Sequence, residues 1–395
     1  MNEIIVLKAI VISFISFIFF KFQGLVFAED YYSNSEKCYQ NPLIPSLSDM
    51  NLCVGLVASK KDINWSLPRK ILFLNNDSIA IVTAMGSWNK NEGQVWKLNF
   101  RNGLLVSSDL LFNKTDRTHG LRQGFDGWIY YADSTEIYRF KLNDPTNTRQ
   151  LVIFNLPDIY KNQNGVVSSS NHPLKEFIFL KNGDMIVSVG APSNDCSEEF
   201  KLSRACYQRV QQAENAADEY GTPDELNVLD PNLLANTARS PLILFPAHVA
   251  PLDILYYQGE MFPELNKSIL VSWHGHRPSG SKIAIYKTDS QLQPLSDYSN
   301  TQPHLDPLQL LTLNWSNPIS NGHPKGRPVG LDVDEQGAIY VVDDQNHTLL
   351  VVAKKDFSLS VDADLNSHNN KNSNTPIILK DFMSENKIQK WLGSN

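Results

Sequence analysis

Four stretches of the chain repeat one grammar: an alternating strand, a polar turn rich in Asn, Asp or Gly, and a more apolar strand. They are PRKILFLNNDSIAIVTA from Pro68, THGLRQGFDGWIYYADSTEIYRF from Thr118, HPLKEFIFLKNGDMIVSVG from His172 and RPVGLDVDEQGAIYVVDDQNHTLLVVA from Arg327. The turn chemistry makes each a hairpin. The copies start about 50 residues apart, with a gap of about three such steps between the third and the fourth, which is the period of a β-propeller blade. ILYYQGEMFPELNKSILVSWHGHRPSGSKIAIY, from Ile254 to Tyr286, supplies another strand-turn-strand set inside that gap. The expected fold is all-β: a six-bladed β-propeller of four-stranded antiparallel sheets around a central channel, or a five-bladed one if a blade has been lost.

The chain has 395 residues, 42% hydrophobic and 19% charged, enough to build a large core. Its formal net charge of −7 excludes nucleic acid as a partner, because phosphate binding needs a concentrated basic face. Residues 1–28 read as an export signal, with Lys8, the apolar run Ala9 to Phe20, and Val26-Phe27-Ala28 before Glu29. That run is shorter than the roughly 20 residues that span a bilayer, and Lys21 ends it, so no membrane anchor is expected after cleavage. The expectation is a periplasmic or secreted protein with its propeller domain at 29–360. Residues 361–395 form a polar linker and tail, in which IILKDF could add a strand and SENKIQKWL a short amphipathic helix. Four cysteines in an oxidising compartment allow three pairings, and proximity favours Cys38 with Cys53 and Cys196 with Cys206.

Five stretches carry a resemblance to a known family: THGLRQGFDGWIYYAD, HPLKEFIFLKNGDMIVSVGAPSNDC, GTPDELNVL, FPAHVAPLDILYYQGEMFPELNKSILVSWHGHRPSG and GRPVGLDVDEQGAIYVVDD. Their order and spacing resemble the soluble quinoprotein glucose and sorbosone dehydrogenases, six-bladed propellers that carry pyrroloquinoline quinone (PQQ). The resemblance implies His172 as the general base. It implies Asn194, Asp224, His248, His274, Arg277, Lys325 and Arg327 as cofactor contacts. Main-chain oxygens of Glu219 and Tyr220 would hold a calcium ion (Ca2+). A small sugar would be the substrate, and the electron acceptor stays open.

The chemistry asks for these residue types independently. PQQ carries three carboxylates, which call for several cations, with Arg preferred for bidentate capture. Calcium takes carboxylate and carbonyl oxygens and acts as a Lewis acid. Removing a hydroxyl proton suits a histidine, whose unperturbed pKa of about 6.5 lies near working pH. His274 and His276, two apart on a strand, share a face and would suit a metal, but no third ligand is evident. Asp343-Asp344 reads as a turn.

The chain also departs from the family. Between Cys206 and Gly221 it is too short for the strands expected there, and the Gly-Leu-Arg-Asn-Pro and Tyr-Gly-Trp-Pro types of segment are absent. That shortening supports a rival expectation, a non-catalytic propeller that binds carbohydrate or protein. A calcium-dependent lactone or ester hydrolase is a third possibility, for which the sequence shows no convincing set of channel carboxylates.

Overall fold

The computed structural model describes residues 32–48, 51–74, 77–161, 167–169, 172–180, 182–189, 223–226, 243–247, 249–275, 280–289, 309–310, 326–355 and 357. The chain enters through β1 (Ser33–Cys38), β2 (Asn41–Leu43) and β3 (Leu52–Ala58). Tyr39 and Gln40 join β1 to β2 with φ of 49° and 70°, the two left-handed positions of a tight hairpin. The Cys38–Cys53 disulfide, with Cα atoms 5.5 Å apart, fastens that hairpin to β3 as expected. Cys196 and Cys206 lie outside the described residues.

The first repeat becomes a four-stranded antiparallel sheet of β4 (Pro68–Phe73), β5 (Ile79–Ala84), β6 (Gly93–Arg101) and β7 (Leu104–Thr115). The second gives β8 (Leu121–Gln123), β9 (Ile129–Ala132), β10 (Ile137–Phe140) and β11 (Gln150–Ile153), and a helical turn capped by Asp144 precedes β11. Three two-stranded pieces follow: β12 (Ile159–Lys161) with β13 (Val167–Ser169), β14 (Phe177–Phe179) with β15 (Met185–Val187), and β16 (Pro223–Leu226) with β17 (Ile243–Ala247). Next come the four strands β18 (Pro251–Tyr257), β19 (Ser268–Trp273), β20 (Lys282–Lys287) and β21 (Gln309–Leu310). The last repeat forms β22 (Pro328–Val333), β23 (Ile339–Asp343) and β24 (Thr348–Lys354).

Ring closure is what the repeats alone do not show. β24 pairs with β3, from Leu349 opposite Ala58 to Lys354 opposite Leu52, so the two ends of the propeller share one six-stranded sheet in the order β1-β2-β3-β24-β23-β22. Among the described residues four sheets reach four strands or more, a four-blade propeller arrangement. The expected all-β propeller is thus present, while six blades, or five, are not seen among the described residues. The third repeat shows only β14 and β15, and most of the chain between Gly190 and His248 lies outside the described residues.

The innermost strands are tied to one another by hydrogen bonds across blades. Leu331 N on β22 donates to Asp253 Oδ2 on β18 (2.8 Å), and Phe73 N on β4 donates to Asp332 Oδ2 on β22 (2.6 Å). Gly120 N before β8 donates to Lys175 O before β14 (3.0 Å), and Arg122 Nε on β8 reaches Phe177 O on β14 (3.3 Å). Gly330 is needed where β22 meets β4, because a Cβ there would sit 2.5 Å from Arg69 O. Between the blades the core is aromatic. Phe73 and Phe100 meet Tyr340 with ring centroids 4.6 and 5.9 Å away, and Phe112 packs between Tyr131 and Phe140. Tyr130 and Phe177 meet Phe179, while Phe245 packs on Trp273 and Tyr286. β19, a central strand of its blade, is buried at all six positions, whereas the outer strands β7 and β11 are largely exposed. No helix among the described residues is long and apolar enough to cross a membrane.

Two expected outcomes follow from this packing. The Cys38–Cys53 bridge closes a loop with a sequence separation of 15, for which chain entropy gives about 3 kcal/mol. The double variant C38S/C53S should lose about that much unfolding free energy in urea, and an unchanged midpoint would contradict it.

The second outcome concerns pH. Burial, the leading cause in each case, pushes Asp77, Asp133, Asp332 and Asp343 up to about 7 and Asp334 up to about 6, against hydrogen bonds that pull them down. A carboxyl raised above its unfolded value of about 3.9 favours the folded chain while it is protonated. That contribution is lost as pH rises through the folded value. His119 and His347, both lowered by burial first, act in the opposite sense below about pH 6.5, with fewer protons. The Tm should therefore rise by several degrees between about pH 8 and about pH 5.5, and a fall over that interval would contradict the assignment.

Candidate functional site at the channel mouth

Because every sheet is antiparallel, the start of each innermost strand and the end of the strand beside it lie at the same end of the propeller. That end collects Arg69 at the start of β4, His119 before β8, His172 to Glu176 before β14, His274 after β19, Arg327 before β22 and Asp344 after β23. The pairing register slips at the start of three inner strands: between Pro68 and Ile71, Pro251 and Asp253, and Pro328 and Leu331. Such irregularities re-aim side chains. On β4 the slip lets the neighbours Arg69 and Lys70 both be buried among inner-strand partners.

Asp344 is the hub of the upper layer. Its carboxylate takes the Arg69 Nη1 ion pair and also the His274 Nε2 contact, 3.0 Å to Oδ1 and 3.1 Å to Oδ2. The pair is almost dry, with side-chain exposures of 6% for Arg69 and 7% for Asp344. Burial alone would push the Asp344 carboxyl up, but the His274 hydrogen bond and the charges of Arg69, His274 and Arg327 outweigh it and hold the carboxyl below the usual range. Arg69 Nε donates to His119 Nδ1 (3.1 Å), which leaves the proton of the neutral imidazole on Nε2. That nitrogen lies 3.9 Å from Glu176 Oε2. Burial first, and then the charges of Arg69 and Lys70, hold His119 well below its ordinary value, so it stays neutral. Thr83 Oγ1 fixes the same stretch, accepting from Lys70 N (3.2 Å) and donating to His119 O (2.6 Å).

A second layer lies on the inner strands. Lys70 Nζ pairs with Asp253 Oδ1 and with Glu176 Oε2 (3.0 Å). Arg122 Nε lies 3.4 Å from Glu176 Oε1, and its Nη2 lies 4.0 Å from Asp253 Oδ1. Burial alone would lower Arg122, but Glu176, Asp253 and Asp332 raise it and keep it cationic. The channel thus contains the carboxylates that the sequence did not reveal. Two of them, Glu176 and Asp253, are engaged by Lys70 and Arg122, and Asp332 accepts from Phe73 N and Val333 N. Among the described residues no group of His, Cys, Asp or Glu could hold a metal ion.

Of the residues expected from the sequence, His274 and Arg327 are brought to one place, around Asp344 and Asp343. Arg327 N donates to Asp343 Oδ1 (3.0 Å), and the same oxygen accepts from Gln345 N (3.0 Å) and Asn346 N (3.3 Å), the expected turn. Asp344, read as part of that turn, proves to be a buried ion-pair partner. Arg327 Nε is buried and has no partner among the described residues. His172 is exposed, four positions before Glu176 on the same segment. Asp224 lies on β16. Asn194, Glu219, Tyr220, His248, Arg277 and Lys325 lie outside the described residues, and so does the calcium expectation that rests on Glu219 and Tyr220.

The sequence reading missed Arg69, Lys70, Arg122, Glu176, Asp253 and Asp344. A signal for most of them was present: charged residues inside or at the edge of an otherwise apolar first strand, recurring from repeat to repeat. The mouth suits an anionic group. The charges of Arg69, His274 and Arg327 all act on the Asp344 carboxylate, and the Arg327 Nε–H has been removed from water without an acceptor among the described residues.

Comparison with known proteins agrees with this geometry. Residues 206–355 match the TrAA12-like family model, which describes PQQ oxidoreductases. The holo PQQ domain of pyranose dehydrogenase from Coprinopsis cinerea superimposes with a TM-score of 0.51 at 13% identity, covering 76% of this chain and 95% of that one. A Trichoderma reesei carbohydrate-active enzyme of family AA12, in its iodide structure, gives 0.53 at 15% identity over 78% of this chain and 97% of that one. Its calcium structure gives the same score and identity over 78% and 96%. No curated protein matches the chain. The protein has the fold of the PQQ-type β-propellers, and its residues 206–355 carry the TrAA12-like sequence pattern.

Proposed function

We propose that the protein is a sugar oxidoreductase that acts on a CH–OH group with PQQ held at the channel mouth. What supports this reading is the buried Arg327 Nε, without an acceptor among the described residues, at an Asp344 carboxylate that Arg69, His274 and Arg327 all act on, in a fold shared with PQQ-binding propellers. Arg327 and His274, together with Arg277 and Lys325, would neutralise the cofactor's carboxylates, with Asn194, Asp224 and His248 as polar contacts. A calcium ion would sit on the main-chain oxygens of Glu219 and Tyr220. When bound, PQQ supplies the two-electron acceptor that a protein side chain cannot provide.

The chain's own part is to bind, orient and move a proton. His172 is exposed at the edge of the mouth, where a sugar could reach it, and its imidazole would take the hydroxyl proton as the carbon is oxidised. The exposure of His172 and the burial of His119 divide the labour between the two. His119, neutral and with Nδ1 already accepting from Arg69, is engaged in holding the site together. Export through residues 1–28 would place the enzyme in the periplasm or outside the cell. The shortened stretch between Cys206 and Gly221 favours a second reading, a propeller that binds carbohydrate or protein without turnover.

Reconstitution separates the two readings. Mature protein incubated with PQQ and calcium should reduce an artificial dye when given aldoses. His172→Ala should cut turnover at least about a hundredfold while PQQ stays bound. Bound PQQ without sugar-dependent reduction would support the second reading, and loss of PQQ in His172→Ala would remove His172 from the role of base.

A further inference from the structure

The oxidoreductase reading assigns residues that would face the cofactor and the sugar, but it leaves unexplained a buried arginine that faces neither. Arg69 is 6% exposed in its side chain and spends both edges of its guanidinium inside the protein. Nη1 pairs with Asp344, which holds His274, and Nε donates to His119 Nδ1, whose other nitrogen lies 3.9 Å from Glu176. Glu176 belongs to the segment that begins at His172. The order Glu176, His119, Arg69, Asp344, His274 therefore runs across the mouth from the side of the expected base to the side of the expected anion contacts, touching the ends of β14, β8, β4, β23 and β19 in turn. Arg69 reaches the anion with Nη1 and the imidazole with Nε, two nitrogens held apart in one rigid plane, and the single ammonium nitrogen of a lysine does not reproduce that spacing.

The geometry points to Arg69 as a positioning residue that fixes Asp344, and through it His274, in the orientation that receives an anionic cofactor. This rests on the oxidoreductase reading for the identity of the ligand, but not for the existence of the linkage. A second buried arginine supplies a control. Arg117 pairs with Asp158 at side-chain exposures of 5% and 1% and also donates to Ser134 (2.9 Å), without touching Asp344, His274 or Glu176. Its loss takes from the buried Asp158 carboxylate its buried partner and leaves only the half-exposed Lys90, 3.5 Å away, so it reports what general destabilisation does.

The test compares Arg69→Gln, Arg69→Lys, Asp344→Asn, the double variant R69Q/D344N and Arg117→Gln with the wild type. PQQ affinity is measured by titration calorimetry, and amide exchange is followed at His274 and Gly275, whose N–H groups donate to Ala250 O (3.1 Å) and Val249 O (2.7 Å). Arg69→Gln should weaken PQQ binding at least tenfold while kcat at saturating PQQ stays within about threefold. The double variant should be no weaker than the worse single variant, because both act through one contact. Arg117→Gln should lower the Tm and leave PQQ affinity within about twofold. Arg69→Lys, which keeps the charge facing Asp344, should fold even if Arg69→Gln does not, and should show the same split.

Equal weakening by Arg69→Gln and Arg117→Gln, or additive losses in the double variant, would overturn the assignment. If the wild type binds no PQQ, the oxidoreductase reading fails and the exchange data still decide this one. Arg69→Gln, or Arg69→Lys in its place, must speed exchange at His274 and Gly275 at least tenfold where Arg117→Gln does not. Unchanged exchange there overturns it.

Discussion

The arrangement of the site depends on one buried ion pair, Arg69 with Asp344. Two charges withdrawn from water gain by pairing only if their remaining hydrogen-bonding capacity is met, and here His119 and His274 meet it from either side. Removing one partner of such a pair typically costs about 3–5 kcal/mol, because the other charge stays buried alone. The pair joins the first repeat to the last, and His119 and His274 extend it to the second repeat and to the blade that begins at β18. A propeller built of blades that pack mainly on their neighbours thus acquires, at its mouth, a set of contacts that no single blade owns.

Below this layer the channel is closed by opposite charges. Lys70 and Arg122 lie among Glu176, Asp253 and Asp332, and three of those five side chains also receive or make hydrogen bonds to the main chain of a neighbouring inner strand. The lattice does two things at once. It ties the inner strands to one another by charge and hydrogen bond, and it lies below a mouth where Arg327 Nε has no acceptor among the described residues. Glu176 and Asp253 are paired with Lys70 and Arg122, and Asp332 accepts from two main-chain amides, so these carboxylates do not by themselves imply hydrolysis or a metal.

Much of the fold was legible because its signals are local. Polar turns between alternating strands, Asn-Asn-Asp, Asp-Gly, Asn-Gly and Gln-Gly in order, identified the hairpins from Pro68, Thr118, His172 and Arg327, and the 15-residue separation of Cys38 and Cys53 favoured their bridge. Ring closure was not legible, since β3 finds β24 almost 300 positions away and nothing within either strand names its partner. Nor was the Arg69–Asp344 pair, whose members are 275 positions apart and whose immediate neighbours, Lys70 and Asp343, do different work. Adjacent charges look alike in a sequence, and the strand irregularity that separates their tasks appears only in the fold. The resemblance to quinoprotein dehydrogenases singled out His274 and Arg327, which the fold brings to Asp344, but it said nothing of that carboxylate or of Arg69.

The central claim is that this mouth receives a polyanionic quinone. Hydrogen exchange of the intact mature protein with and without PQQ and calcium tests it most directly, because it reports location and does not require turnover. The account predicts protection at His274–Gly275 and at the amides of Arg327 and of Val329–Leu331 on β22, with no change along the outer strand β7. Protection absent from both mouth segments, or found only on outer strands, would contradict it.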